Sequence, residues 1–180
     1  MFDGFLRVAA ATPDIRVADC NFNGASAAAL VSEAYEQGVS LLVLPELCLT
    51  GYTCSDLFLQ ESLLDGAGKA LLTLTEATRD KNMVVLAGLP LTVNGVLYNV
   101  AAVLHDGDIL GFVPKSYLPT YSEFYEGRHY HSGADIETDV LFNGRTYPFG
   151  TRLLFRCRQM PAFTLGIEIC EDLWVAQPPS

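Results

Sequence analysis

Two uninterrupted apolar runs, "LLVL" at 41–44 and "MVVLAG" at 83–88, constrain the fold more than any other feature of the sequence. Such runs are typical of strands that are buried on both faces of a parallel or mixed sheet. Each run is preceded by a segment of helical periodicity, residues 23–38 and 63–77, and an earlier strand, "FLRVAAA", is predicted at 5–11. The order strand, helix, strand, helix, strand therefore predicts an α/β fold with a largely parallel or mixed sheet.

The second half of the chain has a different pattern. Two dipeptides, Asn94-Gly95 and Asp106-Gly107, are signals for hairpin turns and lie between apolar segments. Residues 117–151 lack clear periodicity and are rich in tyrosine, glycine and charge, so we expect a functional loop region there. The strands predicted in this half are 96–104, 109–113, 152–157 and 163–170.

The charge and the cysteine content argue against several classes of function. With 11 Lys and Arg against 21 Asp and Glu, the formal net charge is −10, which repels nucleic acid and anionic membranes. The N-terminus, "MFDGFLRVAA", is not that of a signal peptide, and no apolar run reaches membrane-spanning length. We therefore expect a soluble cytoplasmic protein. The five cysteines include no Cys-x-x-Cys pair and fit neither a zinc ribbon nor a disulfide framework.

Three polar residues follow predicted strands at their carboxyl ends, where α/β sheets build their sites. Glu46 follows "LLVLP", Lys115 follows "ILGFVP", and Cys170 ends "FTLGIEIC". Taken singly, they have ordinary interpretations as a surface charge, a solvated lysine and a packed thiol. Together they supply a nucleophile, a carboxylate that transfers protons and an ammonium that stabilises an oxyanion. The sequence therefore predicts covalent amide chemistry with Cys170, Glu46 and Lys115 as the catalytic residues.

Cys170 is followed directly by two carboxylates, Glu171 and Asp172, which would disfavour a thiolate if they pointed at the sulfur. Carboxylates are favourable in the first turn of a helix, so we expect a helix to start here. Such a helix would present the backbone N–H of Glu171 to an oxyanion and would lower the pKa of Cys170. A tight strand-to-helix turn exposes the nucleophile of serine hydrolases in the same way.

The segments around these residues resemble a known superfamily. "LPELCLTGY" contains Glu46, "VPKSYLPTYSEFYEGR" contains Lys115, and "GIEICEDLW" contains Cys170. In this order they resemble the Glu-Lys-Cys triad of the nitrilase (carbon-nitrogen hydrolase) superfamily. Over essentially the whole chain, "GYTCSDLF", "KSYLPTYSEFYE" and "CEDLW" are further similar to the N-terminal glutaminase domains of the glutamine-dependent NAD synthetase family.

The resemblance implies a nitrilase-like four-layer αββα sandwich with mixed sheets. It implies that glutamine is hydrolysed to glutamate and ammonia through a cysteine thioester, and that the ammonia passes through a tunnel to a synthetase domain. That domain makes NAD from nicotinic acid adenine dinucleotide with ATP and magnesium, and it lies outside these 180 residues. No cofactor is implied for the glutaminase domain itself. Residues 1–180 are expected to be a glutaminase domain that lacks its C-terminal part and forms a homo-oligomer.

The resemblance also implies residues that surround the substrate. The family uses a second glutamate in the loop after the lysine, for which Glu126 is the better match and Glu123 is the other candidate. Tyr52 and Tyr121 lie at positions that shape the glutamine pocket in that family. Glu171, next to the nucleophile, is also expected to bind the substrate.

Other functions stay open on the sequence alone. His129 and His131 could share one face of a strand as metal ligands, but no third ligand is evident, so we expect no metal site. A Cys-His pair with either of them or with His105 lacks a surrounding motif. A stand-alone amidase or carbamoyl-amide hydrolase would use the same triad, and a non-catalytic assembly module would retain it unused. Glutamine analogues distinguish the two enzymes, and thiol labelling distinguishes enzyme from module.

Overall fold

A computed structural model describes residues 4–179 as a mixed α/β fold. The first half has the element order that the sequence predicts. Its elements are β1 (Val8–Ala10), α1 (Cys20–Glu36), β2 (Leu41–Val43), α2 (Glu61–Ala77) and β3 (Val84–Val93). β2 pairs in parallel with both β1 and β3, which places the two continuous apolar runs side by side inside the sheet. β1 is shorter than the predicted strand.

The helices begin and end at signals in the sequence. Asp19 precedes α1, and its carboxylate accepts a hydrogen bond from the backbone N–H of Phe22 at 3.1 Å. The chain leaves α1 at Gly38, which has a φ of 73° and is the predicted stop. Within residues 4–179, no helix is long and apolar enough to cross a membrane.

An antiparallel meander follows through the predicted hairpin turns. β4 (Val96–His105) pairs with β3 and with β5 (Asp108–Pro114). The two residues of each turn, Asn94-Gly95 and Asp106-Gly107, have positive φ, as two-residue hairpin turns require. The meander therefore follows from turn chemistry and buried apolar strands together.

Residues 117–151 are not a single loop, and this prediction was wrong. They contain the one-turn helix α3 (Glu126–His129) and a hairpin of β6 (Glu137–Phe142) and β7 (Arg145–Gly150). The hairpin turns at Asn143-Gly144, where both residues have positive φ. β7 joins the sheet parallel to β5, which gives seven strands in the order β1-β2-β3-β4-β5-β7-β6.

The two C-terminal strands are shorter than predicted. β8 (Phe155–Arg156) and β9 (Thr164–Leu165) form a separate antiparallel pair. β9 ends well before Cys170, so Cys170 does not sit at the end of a sheet strand. Instead, Ile167 and Ile169 turn their side chains into an apolar cluster with residues of the large sheet.

The two faces of the large sheet bury different clusters. Leu42 and Val85 belong to the main core, which includes the buried residues of α1 and α2. Leu41 and Val103 belong to a second cluster on the opposite face, where Leu165 of β9 also packs. The helices α1 and α2 therefore pack on one face of the main sheet, and the small second sheet packs on the other face. The predicted mixed α/β class is confirmed.

Candidate active site

Glu46 lies in a tight turn directly after β2. Leu47, the next residue, has a φ of 52°, in the left-handed region that few side chains adopt. The turn rests on Gly88 of β3, where an added Cβ would lie 2.3 Å from the Leu47 nitrogen and 2.8 Å from the Glu46 carbonyl carbon. Because no side chain fits in this space, glycine at 88 allows the Glu46 turn to approach the sheet.

Lys115 follows β5, and its side chain is completely buried. Its Nζ donates hydrogen bonds to Glu46 Oε1 and Glu126 Oε1, both at 2.7 Å. The hydroxyl of Tyr52 donates to the same Glu126 oxygen at 2.6 Å. The structure therefore brings four of the predicted site residues together. Glu126 contacts Lys115, whereas the alternative glutamate, Glu123, is exposed.

Two carboxylates contact this one buried ammonium group, and their interactions with it shift the pKa values of Lys115 and Glu126. Burial lowers the pKa of Lys115, but the charges of Glu46 and Glu126 outweigh that effect, and the pKa is raised above its ordinary value. Burial raises the pKa of Glu126, while hydrogen bonds from Lys115 and Tyr52 oppose the rise. Lys115 is therefore a cation at neutral pH, and its charge is available to stabilise an oxyanion.

Cys170 and Glu46 line the same cavity, which has a volume of about 270 Å³. Gly88 lies in its wall, as do Ile167 and Ile169. Cys170 has a φ of 49°, so the chain turns sharply at the thiol through a conformation that is uncommon for cysteine. This geometry exposes the sulfur on a bend, as the elbow of serine hydrolases does for its hydroxyl.

Two expectations about this bend were wrong. The predicted helix is a single 3-10 turn, Cys170–Leu173, and Pro178 lies too close behind it for a long helix. The pKa of Cys170 is raised and not lowered, because partial desolvation of the exposed thiol by the surrounding protein and the charge of Glu46 outweigh the opposing effect of Lys115. The resting thiol is therefore protonated at neutral pH, and a neighbouring base has to remove its proton.

Tyr121 and Glu171, two of the residues expected to bind substrate, contact each other near the surface. The Tyr121 hydroxyl donates a hydrogen bond to Glu171 Oε2 at 2.9 Å, and this bond raises the pKa of Tyr121. Glu171 is also close enough to contribute to the raised pKa of Cys170. The pair therefore lies beside the thiol, whereas Tyr52 and Glu126 lie beside the buried ammonium.

Asn99 of β4 belongs to the site but was not predicted from the sequence. Its Nδ2 donates a hydrogen bond at 2.6 Å to Glu46 Oε1, the oxygen that Lys115 also contacts. Its backbone carbonyl accepts a hydrogen bond from the Lys115 N–H at 2.9 Å. With two donors on Oε1, the other oxygen of Glu46 is left for proton transfer. A buried asparagine inside the apolar segment "VLYNVAAVL" is a signal that could have identified it.

His129 and Arg128 share one carboxylate partner. His129 places Nε2 3.1 Å from an oxygen of Asp56, which also pairs with Arg128 at 2.7 Å. These residues line a second cavity of about 560 Å³, together with Tyr52 and Glu126. Among residues 4–179, no group of three or more histidine, cysteine or acidic side chains could hold a metal ion.

The mixed sheet and the Glu-Lys-Cys site define a class of protein. The model of the carbon-nitrogen hydrolase family matches residues 7–178, and the chain belongs to this family. It is 44% identical over 177 residues to a glutamine-dependent NAD(+) synthetase from Mycobacterium bovis, a match that covers 98% of this chain and 26% of that protein. The crystal structure of a glutamine-dependent NAD(+) synthetase from Cytophaga hutchinsonii superposes with a TM-score of 0.84 at 30% identity, covering 92% of this chain and 28% of that one.

A more distant likeness concerns the fold alone. The crystal structure of an amidase from Nesterenkonia sp. superposes with a TM-score of 0.61 at 23% identity, covering 79% of this chain and 54% of that one. The chain spans about a quarter of the length of the NAD(+) synthetases that it matches.

Proposed function

We propose that this chain hydrolyses the side-chain amide of glutamine through a thioester on Cys170. The observation that carries the proposal is the buried Lys115, held between Glu46 and Glu126 next to the cavity that Cys170 lines. Acyl transfer from an amide needs a nucleophile, a proton carrier and a fixed cation, and here the first two line one cavity while the cation is hydrogen-bonded to the proton carrier. The similarity to glutamine-dependent NAD(+) synthetases supports glutamine as the substrate.

In the proposed reaction, the sulfur of Cys170 attacks the amide carbon while Glu46 takes the thiol proton. Lys115 and the backbone N–H of Glu171 stabilise the oxyanion that forms. Glu46 then gives the proton to the amide nitrogen, which leaves as ammonia, and a thioester remains. Water attacks the thioester, Glu46 takes one of its protons, and return of that proton to the sulfur releases glutamate and restores the thiol.

The other predicted site residues receive roles around this reaction. Tyr121 and Glu171 bind the amino-acid end of glutamine, because a surface carboxylate next to the thiol suits the ammonium of an α-amino acid. Tyr52 and Glu126 hold Lys115 and close the inner side of the site. Because Tyr52 and Lys115 both donate to one oxygen of Glu126, the orientation of the Glu126 carboxylate relative to the ammonium is fixed.

We further propose that the ammonia passes through a tunnel to a synthetase domain of the same protein. That domain would use ATP and magnesium to convert nicotinic acid adenine dinucleotide to NAD. The greater length of the matching NAD(+) synthetases supports this arrangement, in which residues 1–180 are part of the glutaminase domain of a homo-oligomer. All five cysteines are free thiols, which fits the reducing cytoplasm.

Substrate preference tests the proposal. The complete protein is incubated with glutamine, asparagine or propionamide, and released ammonia is measured. We expect kcat/KM to be at least about 100-fold higher for glutamine, roughly 2.7 kcal/mol of transition-state free energy. Equal values for propionamide would identify a stand-alone amidase, and no release from any amide would identify a non-catalytic module.

Replacement of Glu46 by glutamine should lower both the rate of ammonia release and the pKa of Cys170. The amide cannot take the thiol proton, so we expect ammonia release to fall by at least about 100-fold. Loss of the negative charge should lower the pKa of Cys170, because Glu46 contributes to its rise. Alkylation of Cys170 by iodoacetamide, followed by mass spectrometry across pH, should therefore move to lower pH. Lys115→Met is the matched control and should move it to higher pH. A Glu46→Gln profile that stays in place would refute the assignment.

The isolated 180-residue chain should be a poor glutaminase. Val8 and Val43 lie on the same face of the sheet as Leu41, yet they are 60% and 39% exposed, and Trp174 is 74% exposed. An open apolar face next to the edge strand β1 favours self-association. We expect light scattering to show oligomers and ammonia release to be far below that of the complete protein. A monomer with turnover equal to the complete protein would contradict this prediction.

A further inference from the structure

Asp172 is a buried carboxylate that the proposed reaction does not use. It is 2% exposed and lies two positions after the thiol. The sequence predicts it in the first turn of a helix, but its carboxylate reaches back into the protein. In the part of the chain that the structure describes, its hydrogen-bond donors are main-chain N–H groups.

These N–H groups come from two separate segments. Oδ1 accepts hydrogen bonds from Tyr117 at 2.8 Å and from Ser116 at 3.1 Å, in the segment that directly follows Lys115. Oδ2 accepts a hydrogen bond from Ile169 at 3.2 Å, directly before Cys170. One carboxylate thus joins the backbone after the ammonium to the backbone before the thiol.

Both joined segments have geometry that needs support. Cys170 has a left-handed backbone, and the 3-10 turn that it begins is too short to be stable by itself. Lys115 and Cys170 are far apart in the sequence, so only contacts between their two segments can fix the distance between their side chains. A charged acceptor for several N–H groups in a buried position is a strong and directional restraint.

We propose that Asp172 is a positioning residue that sets the distance between the Lys115 ammonium and the Cys170 sulfur through the main chain. Its contribution to turnover rests on the proposed amide hydrolysis, whereas its effect on the thiol does not. A shift of about 1 Å between reacting groups lowers rates by about 100-fold. Asp172→Asn replaces an acceptor by an NH₂ donor that faces N–H groups, so the two segments should separate.

The test uses the complete protein and the Asp172→Asn variant. We expect kcat for glutamine to fall about 100-fold with a smaller change in KM, because Tyr121 and Glu171 still bind the substrate. We expect alkylation of Cys170 by iodoacetamide to move to higher pH, because the favourable charge of Lys115 is farther from the sulfur. On a Lys115→Met background, Asp172→Asn should produce no further movement.

Asp19→Ala is the control for loss of a carboxylate that accepts a backbone N–H, because Asp19 accepts that of Phe22 at the start of α1. It should lower the melting temperature without changing the alkylation profile. If Asp172→Asn does the same, Asp172 has only a structural role and the proposal is wrong. Asp172→Glu keeps the charge but moves the carboxylate, and we expect kcat to fall about tenfold. This variant is the decisive one if Asp172→Asn does not fold. Wild-type kcat and a wild-type alkylation profile in Asp172→Glu would overturn the proposal. Failure of the wild type to hydrolyse glutamine would instead refute the proposed function, and the alkylation measurements would still test Asp172.

Discussion

Replacement of Cys170 by alanine in the complete protein is expected to abolish glutamine-dependent synthesis of NAD while synthesis from added ammonia survives. Alanine removes the nucleophile but leaves Lys115 with both of its carboxylates, so the buried charges stay paired. We expect ammonia release from glutamine to fall by at least about 1,000-fold, roughly 4 kcal/mol of activation free energy. Parallel assays with glutamine and with ammonium chloride measure both activities. Loss of both activities would point to a structural role for Cys170.

The other four cysteines are the controls for this result. Cys48 is buried beneath the Glu46 turn and Cys20 begins α1, and burial raises the pKa of both to about 11. Cys54 is buried as well, and Cys157 is half-buried outside the cavity. Alanine or serine at any of these four positions should leave most of the activity intact. Alkylation at neutral pH should modify Cys170 well before the buried thiols.

Replacement of Lys115 by arginine is expected to be almost as damaging, although the charge is kept. The ammonium is completely buried and contacts two carboxylate oxygens at 2.7 Å each. A guanidinium is planar and larger, so it cannot occupy this point between Glu46 and Glu126 while also facing an oxyanion. We expect ammonia release to fall by about 1,000-fold in a protein that still folds by circular dichroism. Activity within about tenfold of wild type, roughly 1.4 kcal/mol, would mean that the assigned role is wrong.

Lys115→Met, the uncharged alternative that serves above as a folded control, should lose stability in addition to activity. It leaves the carboxylates of Glu46 and Glu126 buried next to each other without the ammonium. Removing one partner of a buried ion pair costs about 3–5 kcal/mol. Lys115→Met therefore tests whether a positive charge is needed at this position, and Lys115→Arg tests whether the charged group has to be a compact ammonium.

The site was predictable to the extent that it depends on the ends of elements. Glu46 and Lys115 each follow an apolar strand and a proline. β2 is parallel to β3, and the antiparallel meander from β3 through β4 to β5 reverses direction twice, so β2 and β5 both end at the same edge of the sheet. Cys170 was identified by its motif and by its position after an apolar run, but the strand that was expected to carry it ends earlier. Local sequence patterns thus predicted the site residues more accurately than they predicted the strands and helices that carry them.

What the sequence did not reveal depends on contacts between distant segments. Asn99 donates a hydrogen bond to Glu46, and Asp172 accepts hydrogen bonds from the backbone after Lys115. The periodicity of the sequence gives no information about such distant partners. The pKa of Cys170 is raised because partial desolvation of the thiol and the charge of Glu46 outweigh the charge of Lys115. The hairpin at Asn143-Gly144 was missed because β6 has a single fully buried side chain, so its alternation is weak in the sequence.

The left-handed backbone at Cys170 has a consequence for attempts to improve this protein. Holding a residue other than glycine in that conformation costs about 1 kcal/mol, and the cost does not depend on the chemistry of the thiol. A laboratory evolution campaign that rewards heat resistance alone would therefore favour glycine at 170, since glycine relieves the backbone. The most durable clones from such a library would be enriched in inactive ones, so each round needs a turnover screen beside the heating step.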